Sequence, residues 1–104
     1  MFRIALFCSA GMSTSAMVDR MREVAKKQNL DVDIHAYADS RVEDFTNNID
    51  VVLLGPQITY KKRTIEKHFA AYNVPVAVIP IREYGMMNGE AVLKLAYQII
   101  ERGE

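Results

Sequence analysis

Four short apolar runs, each followed by a stretch with the spacing of a helix, restrict this chain to an α/β fold on a parallel sheet, since such alternation packs helices on both faces of one sheet. The third run is the most telling. DVVLLG (Asp50 to Gly55) is apolar without interruption from Val51 to Leu54, the composition of a central strand covered on both sides, and a Gly-Pro break closes it. FRIALF (Phe2 to Phe7) is nearly as apolar, is too short for a helix and runs into a glycine-containing turn, so it predicts a buried strand. DVDIHAY (Asp31 to Tyr37) instead alternates Val32, Ile34 and Ala36 with Asp31, Asp33 and His35, a period of two with one polar side that suits an edge. VPVAVIP (Val74 to Pro80) contains Pro75, which has no N–H for a ladder, and is an edge strand or a strand start.

The intervening segments predict helices. Ser13 to Gln28 sets Met17, Met21, Val24 and Ala25 at helical steps among charged residues, with Asn29 as its stop. Asp39 or Ser40 is a candidate cap for a short helix reaching about Asn47. Ile58 to Tyr72 offers a third helix through Ile58, Ile65, Phe69 and Tyr72. Asn88 to Arg102 offers the last, with Val92, Leu95, Ala96, Ile99 and Ile100 on one face and Gly103 just beyond. The most apolar strands belong in the centre, which gives a four-stranded parallel sheet of order 2-1-3-4 within one domain, residues 1–104. Chain direction across such a sheet reverses between strands one and three, and ligands bind beyond the carboxyl ends of the strands at that switch point. Cys8 sits there.

Composition excludes several classes of function. Thirteen Lys plus Arg balance thirteen Asp plus Glu, so no overall charge draws the chain to nucleic acid or an anionic membrane. A single cysteine cannot form an internal disulfide and points to a reducing, cytoplasmic setting. Neither an export signal with a cleavage site nor an apolar run long enough to span a bilayer is present.

Cys8 heads the loop CSAGMST between the first strand and the first helix. Successive peptide N–H groups of such a loop can curl around an anion, and the positive end of the helix dipole favours negative charge there. Gly11 permits a sharp turn, Ser9, Ser13, Thr14 and Ser15 add hydroxyl donors, and Ser13 or Thr14 is a candidate helix cap. Helix N-termini are also where cysteine thiolates are stabilised. Unpaired cysteines are most often inert core residues, yet this one is read as lying one residue past an apolar strand, at the head of an anion-ready loop. Two chemistries fit: hydrolysis of a phosphoester through a phosphocysteine, or relay of the phosphoryl group to another acceptor. The phosphatase loop has the form C-x5-R, whose Arg clamps the phosphoryl oxygens; position 14 here is Thr. No Asp is recognisably placed as a general acid, so the relay is favoured over the phosphatase. A third possibility, a flavodoxin-like binding module, would need no thiol.

Three stretches, CSAGMSTS, VVLLGPQI (Val51 to Ile58) and YGMMNG (Tyr84 to Gly89), together resemble the IIB component of the lactose/cellobiose (chitobiose) class of the bacterial phosphoenolpyruvate-dependent sugar phosphotransferase system, over nearly the whole chain. The resemblance implies a fold like that of flavodoxin and the low-molecular-weight tyrosine phosphatases. It also implies that Cys8 accepts a phosphoryl group from phosphohistidine on a IIA protein and passes it to a sugar, of the β-linked disaccharide kind, held by the membrane IIC transporter. On this reading Ser9, Ala10, Gly11, Met12, Ser13, Thr14 and Ser15 cradle the phosphoryl group, Gln57 borders the site and Tyr84 forms a further rim. No cofactor and no metal is implied, and the subunit is expected to be monomeric. His35 and His68 are expected to be ordinary surface or packing residues, and Met17 and Met21 core residues. Met12, Met86 and Met87 fall in loops that suit either packing or a transient interface. The basic cluster Tyr60 to Arg63 suits a solvated helix face or the docking of an acidic partner.

Overall fold

Every residue of Val51–Leu54 is buried, and the reason is topological: this strand lies between two others in a sheet with both faces covered. The computed structural model describes residues 2–9 and 12–101. In chain order it contains β1 (Phe2–Cys8), α1 (Met12–Lys27), β2 (Val32–Ala38), a 3-10 helix (Asp39–Asp44), β3 (Val51–Leu54), a second 3-10 helix (Pro56–Lys61), α2 (Lys62–Ala70), β4 (Val76–Val78), α3 (Ile81–Gly85) and α4 (Gly89–Glu101). The sheet is parallel throughout, in the order β2-β1-β3-β4. Register pairs Ile4 with Ile34 and Val51, and Leu54 with both Phe7 and Val78.

Alternation along the strands feeds two separate cores. Ile4, Leu6, Val51 and Leu53 face α1 and α4, where Met17, Met21, Val92 and Ala96 complete the first core. Ala5, Phe7, Val52 and Leu54 face the other way, against Val42, Phe45, Ile65 and Phe69. Phe7 is the centre of an aromatic group there, with ring centroids 5.6 Å from Phe45, 5.7 Å from Tyr37 and 6.4 Å from Phe69. The placement of Met17 and Met21 in the core matches the sequence expectation.

α1 stops where Asn29 was expected to stop it. Asn29 takes the left-handed conformation (φ 54°), and the Leu30 N–H returns to the Ala25 carbonyl at 2.9 Å, satisfying a carbonyl of the last turn. Asn73 (φ 59°) follows α2 in the same conformation. α1 and α4 pack so closely that a Cβ on Gly89 would lie 2.7 Å from the Arg20 carbonyl carbon and 2.8 Å from the Met21 nitrogen.

Three expectations need correction. The helix predicted over Ile58 to Tyr72 is two pieces, because Ile58 (φ −114°, ψ 27°) leaves helical geometry to bury its side chain and α2 begins only at Lys62. The short helix after β2 is a 3-10 turn ending at Asp44. Neither Asp39 nor Ser40 caps it: Ala38 holds the cap position without a side-chain hydrogen bond, and the Asp39 carboxylate instead accepts from Lys61 Nζ. α3 was not foreseen; it is five residues long, is opened by Pro80 and carries no amphipathic stripe.

Candidate functional site

Cys8 is the last residue of β1, not the first beyond it, and pairs in register with Ala38 at the end of β2. Its side chain is 2% exposed. On its other side the Gly55 N–H donates to the Phe7 carbonyl at 2.9 Å, carrying the contact between β1 and β3 one residue past the end of β3. A Cβ at Gly55 would stand 3.1 Å from Cys8 Sγ and 2.9 Å from Gln57 Oε1. The backbone there is ordinary extended structure (φ −62°, ψ 146°). A side chain at this position would therefore crowd the thiol without straining the backbone.

Gln57 is the group that meets the thiol: Cys8 Sγ donates to Gln57 Oε1 at 3.5 Å. Gln57 is positioned by its neighbours. Pro56 opens the 3-10 helix, fully buried Ile58 anchors it, and the Thr59 hydroxyl donates to the Pro56 carbonyl at 2.7 Å, leaving Gln57 on the exposed side. A carboxamide accepts a hydrogen bond through its oxygen and, turned over, donates through its NH2 group. The same residue thus suits a thiol, a thiolate or a phosphoryl oxygen on Sγ.

α1 begins at Met12, four residues after Cys8, and its first turn contains no acidic residue, so the positive end of its dipole is unopposed at the carboxyl end of the sheet. Ala10 and Gly11 lie outside the described residues, as do the side chains of Met12 and Ser13. Of the other loop residues, Ser9 and Ser15 are exposed and Thr14 is fully buried. Position 14, where a phosphatase presents Arg to its substrate, is thus held by a neutral side chain packed into the protein. Tyr84 departs from its expected place on the rim. It is 5% exposed and belongs to the core beneath α1 and α4, because α3 turns it inward while leaving Ile81 (76%) and Met86 (67%) outside. Met87 is half-buried against the same core.

The histidines are occupied as ordinary residues. His35 Nε2 lies 2.7 Å from Asp33 Oδ1, and His68 Nε2 lies 2.7 Å from the Phe45 carbonyl. Among the described residues no group of three His, Cys, Asp or Glu side chains converges as a metal site. In the basic cluster Lys61 pairs with Asp39 and Lys62 lies 3.9 Å from Glu66. Sequence reasoning missed the Asp39–Lys61 pair because the partners are distant in the chain and each had a local reading, as a helix cap and as part of a charged face.

The family model described as the lactose/cellobiose-specific IIB subunit of the PTS system matches residues 3–95. The chain belongs to this IIB family. It is 34% identical over 100 residues to the oligo-beta-mannoside-specific EIIB component of Bacillus subtilis, covering 96% of this chain and 97% of that protein. Identity is 36% over 102 residues to the galactose-specific and the cellobiose-specific EIIB components of Lactococcus lactis, covering 93% of this chain and 94% of each. The solution structure of a cellobiose-specific IIB component from Borrelia burgdorferi superposes with a TM-score of 0.81 at 39% identity, over 97% of this chain and 93% of that one. A lactose-specific IIB domain from Streptococcus pneumoniae shares the fold, with a TM-score of 0.85 at 14% identity over 93% of this chain and 95% of that one. As a IIB protein the chain is a phosphoryl-transfer subunit of a sugar phosphotransferase system. Among its described residues no helix is long and apolar enough to cross a membrane.

Proposed function

We propose that Cys8 is the phosphoryl carrier of this IIB subunit, loaded by phosphohistidine on a IIA protein and unloaded onto a sugar bound by a membrane IIC transporter. The observation that carries this reading is the thiol's position at the carboxyl end of a central strand, in contact with Gln57 and four residues ahead of a helix with no acidic residue in its first turn. In loading, the thiol proton passes to solvent and the thiolate attacks phosphorus. An S–P bond forms as the P–N bond breaks, and the imidazole nitrogen leaves with the bonding pair and takes up a proton. In unloading, a sugar hydroxyl oxygen attacks phosphorus, the S–P bond breaks, and the thiolate leaves with its pair while the hydroxyl proton goes to solvent.

A serine hydroxyl at this position is a far weaker nucleophile than a thiolate, and a thiophosphate retains transfer potential that a serine ester lacks. Residues 9–15 cradle the phosphoryl group, chiefly through backbone N–H groups, and Gln57 turns its NH2 group towards it. Without an Arg at position 14 the site holds the adduct for the next acceptor instead of promoting its hydrolysis. The subunit works in the cytoplasm, where the thiol stays reduced. Relatives named for cellobiose and oligo-beta-mannoside support a β-linked sugar as the cargo.

The test supplies the general phosphotransferase proteins, a IIA protein of this class and labelled phosphoenolpyruvate, and follows intact mass. One phosphoryl group on the wild type and none on Cys8→Ser is the expected result. Label that stays on Cys8→Ser, or turnover of an aryl phosphate by this chain alone, overturns the relay.

A further inference from the structure

The residue that follows the register partner of Cys8 carries a carboxylate. Ala38 is the register partner of Cys8, and neighbouring strands run about 4.8 Å apart. Asp39, the next residue, therefore has its Cα within about 9 Å of the Cys8 Cα, given about 3.8 Å between successive Cα atoms. The Asp39 side chain is only 10% exposed. A phosphoryl group brings between one and two negative charges, and at these separations a poorly hydrated carboxylate is screened only in part by salt. Asp39 is not left bare. It accepts a hydrogen bond from Lys61 Nζ, and Lys61 ends the same 3-10 helix that carries Gln57. The pair thus joins the segment leaving β2 to the segment leaving β3, the two strands that flank Cys8. Of the other ionic groups nearby, Arg41 lies 2.6 Å from Asp44 and Lys62 lies 3.9 Å from Glu66, while Glu43 and Lys67 line the same cavity as Asp39 and Lys61.

We propose that Lys61 is a positioning residue for phosphoryl transfer, acting through Asp39: it neutralises a poorly exposed carboxylate at the same end of the sheet as Cys8 and so permits a phosphoryl anion to form there. This rests on Cys8 being the carrier. Lys61 need not touch the phosphoryl group, and that separates the proposal from a direct ligand role. Removing Lys61 uncovers the Asp39 charge, while removing both charges restores neutrality.

The experiment measures the fraction of chain carrying the Cys8 adduct at equilibrium with a phosphorylated IIA protein of this class, by intact mass, for wild type, Lys61→Met, Asp39→Asn and the double variant. Thermal unfolding accompanies each. Lys61→Met is expected to lower the ratio of phosphorylated to free chain about five- to tenfold, the size of a unit charge acting over about 9 Å, the separation of the two Cα atoms, at an effective dielectric of about 30. The deficit shrinks as salt rises. Asp39→Asn retains at least the wild-type ratio, and the double variant returns to within about twofold of wild type. An unchanged ratio in Lys61→Met, a deficit in Asp39→Asn, or a double variant as poor as Lys61→Met overturns the proposal. Should Lys61→Met fail to fold, Asp39→Asn and the double variant decide the matter by the same criteria. A wild type without any Cys8-dependent adduct would instead sink the carrier reading, so the two failures are distinct.

Discussion

Gly55→Ala isolates the contact between the third strand and the thiol. The alanine backbone is unstrained at φ −62°, ψ 146°, so the new methyl group acts only through what it meets. That is Cys8 Sγ at 3.1 Å and Gln57 Oε1 at 2.9 Å, where non-bonded atoms prefer about 3.5–4.0 Å. Sγ must therefore shift by about half an ångström. Gln57 is exposed and swings clear at little cost, giving up its contact with sulfur. Overpacking costs about 1–3 kcal/mol; with one partner so mobile the low end applies, and the reduced freedom of the unfolded chain returns about 0.4–1 kcal/mol. Unfolding by urea should then give a stability within about 1 kcal/mol of wild type. The chemistry has no such relief. A misplacement of about 1 Å can cost about a hundredfold in rate, so a rapid-quench measurement of label transfer to Cys8 should show a loss of about tenfold or more. Transfer within about twofold of wild type would refute the reasoning. So would a destabilisation above about 3 kcal/mol, which would mean that the contact serves the fold.

Gly89→Ala meets backbone atoms of Arg20 and Met21 at 2.7 and 2.8 Å, which cannot step aside, so denaturation should show a loss near the top of the overpacking range, about 3 kcal/mol. Gly85→Ala meets nothing within 4 Å on a helical turn and should raise the urea midpoint slightly, by the equivalent of about 0.5–1 kcal/mol. Gln57→Glu places a charge against the sulfur and should lower the equilibrium fraction of adduct below that of Gln57→Ala, measured by intact mass. The Arg3 hydrogen bond holds the Asp50 carboxyl below its ordinary range. Its contribution is therefore present above the unfolded value, about pH 4, and lost as pH falls through the lower folded value. The stability advantage of wild type over Asp50→Asn should accordingly narrow with acidification below about pH 4, and a constant gap in acid denaturation would count against the ion pair.

What the sequence made legible follows from the range of each signal. Continuous burial of Val51 to Leu54 and the alternation of Val32, Ile34 and Ala36 are properties of consecutive residues, and from them came the strand order. Cys8 and its loop were legible because chain order puts them at the switch point. Gln57 was named through the resemblance, and the structure sets its Oε1 3.5 Å from Cys8 Sγ. The split of the third helix was hidden because Ile58 satisfies a helical stripe while burying itself from a non-helical backbone. Tyr84 was misplaced because a five-residue helix has no periodicity to show which way it turns. The close approach of Gly89 to Arg20, like the pairing of Asp39 with Lys61, joins segments that no local pattern connects.

On the proposed relay, the contact at Gly89 bears on how the subunit would meet its donor and acceptor in turn. Two helices whose backbones touch cannot slide past one another without a clash, so α1 is fixed along its length by α4 and cannot act as a piston beneath the cysteine. Adjustment between donor and acceptor falls to the segments at the carboxyl ends of the strands. On the proposed relay, donor and acceptor would both meet this pair of packed helices in one arrangement.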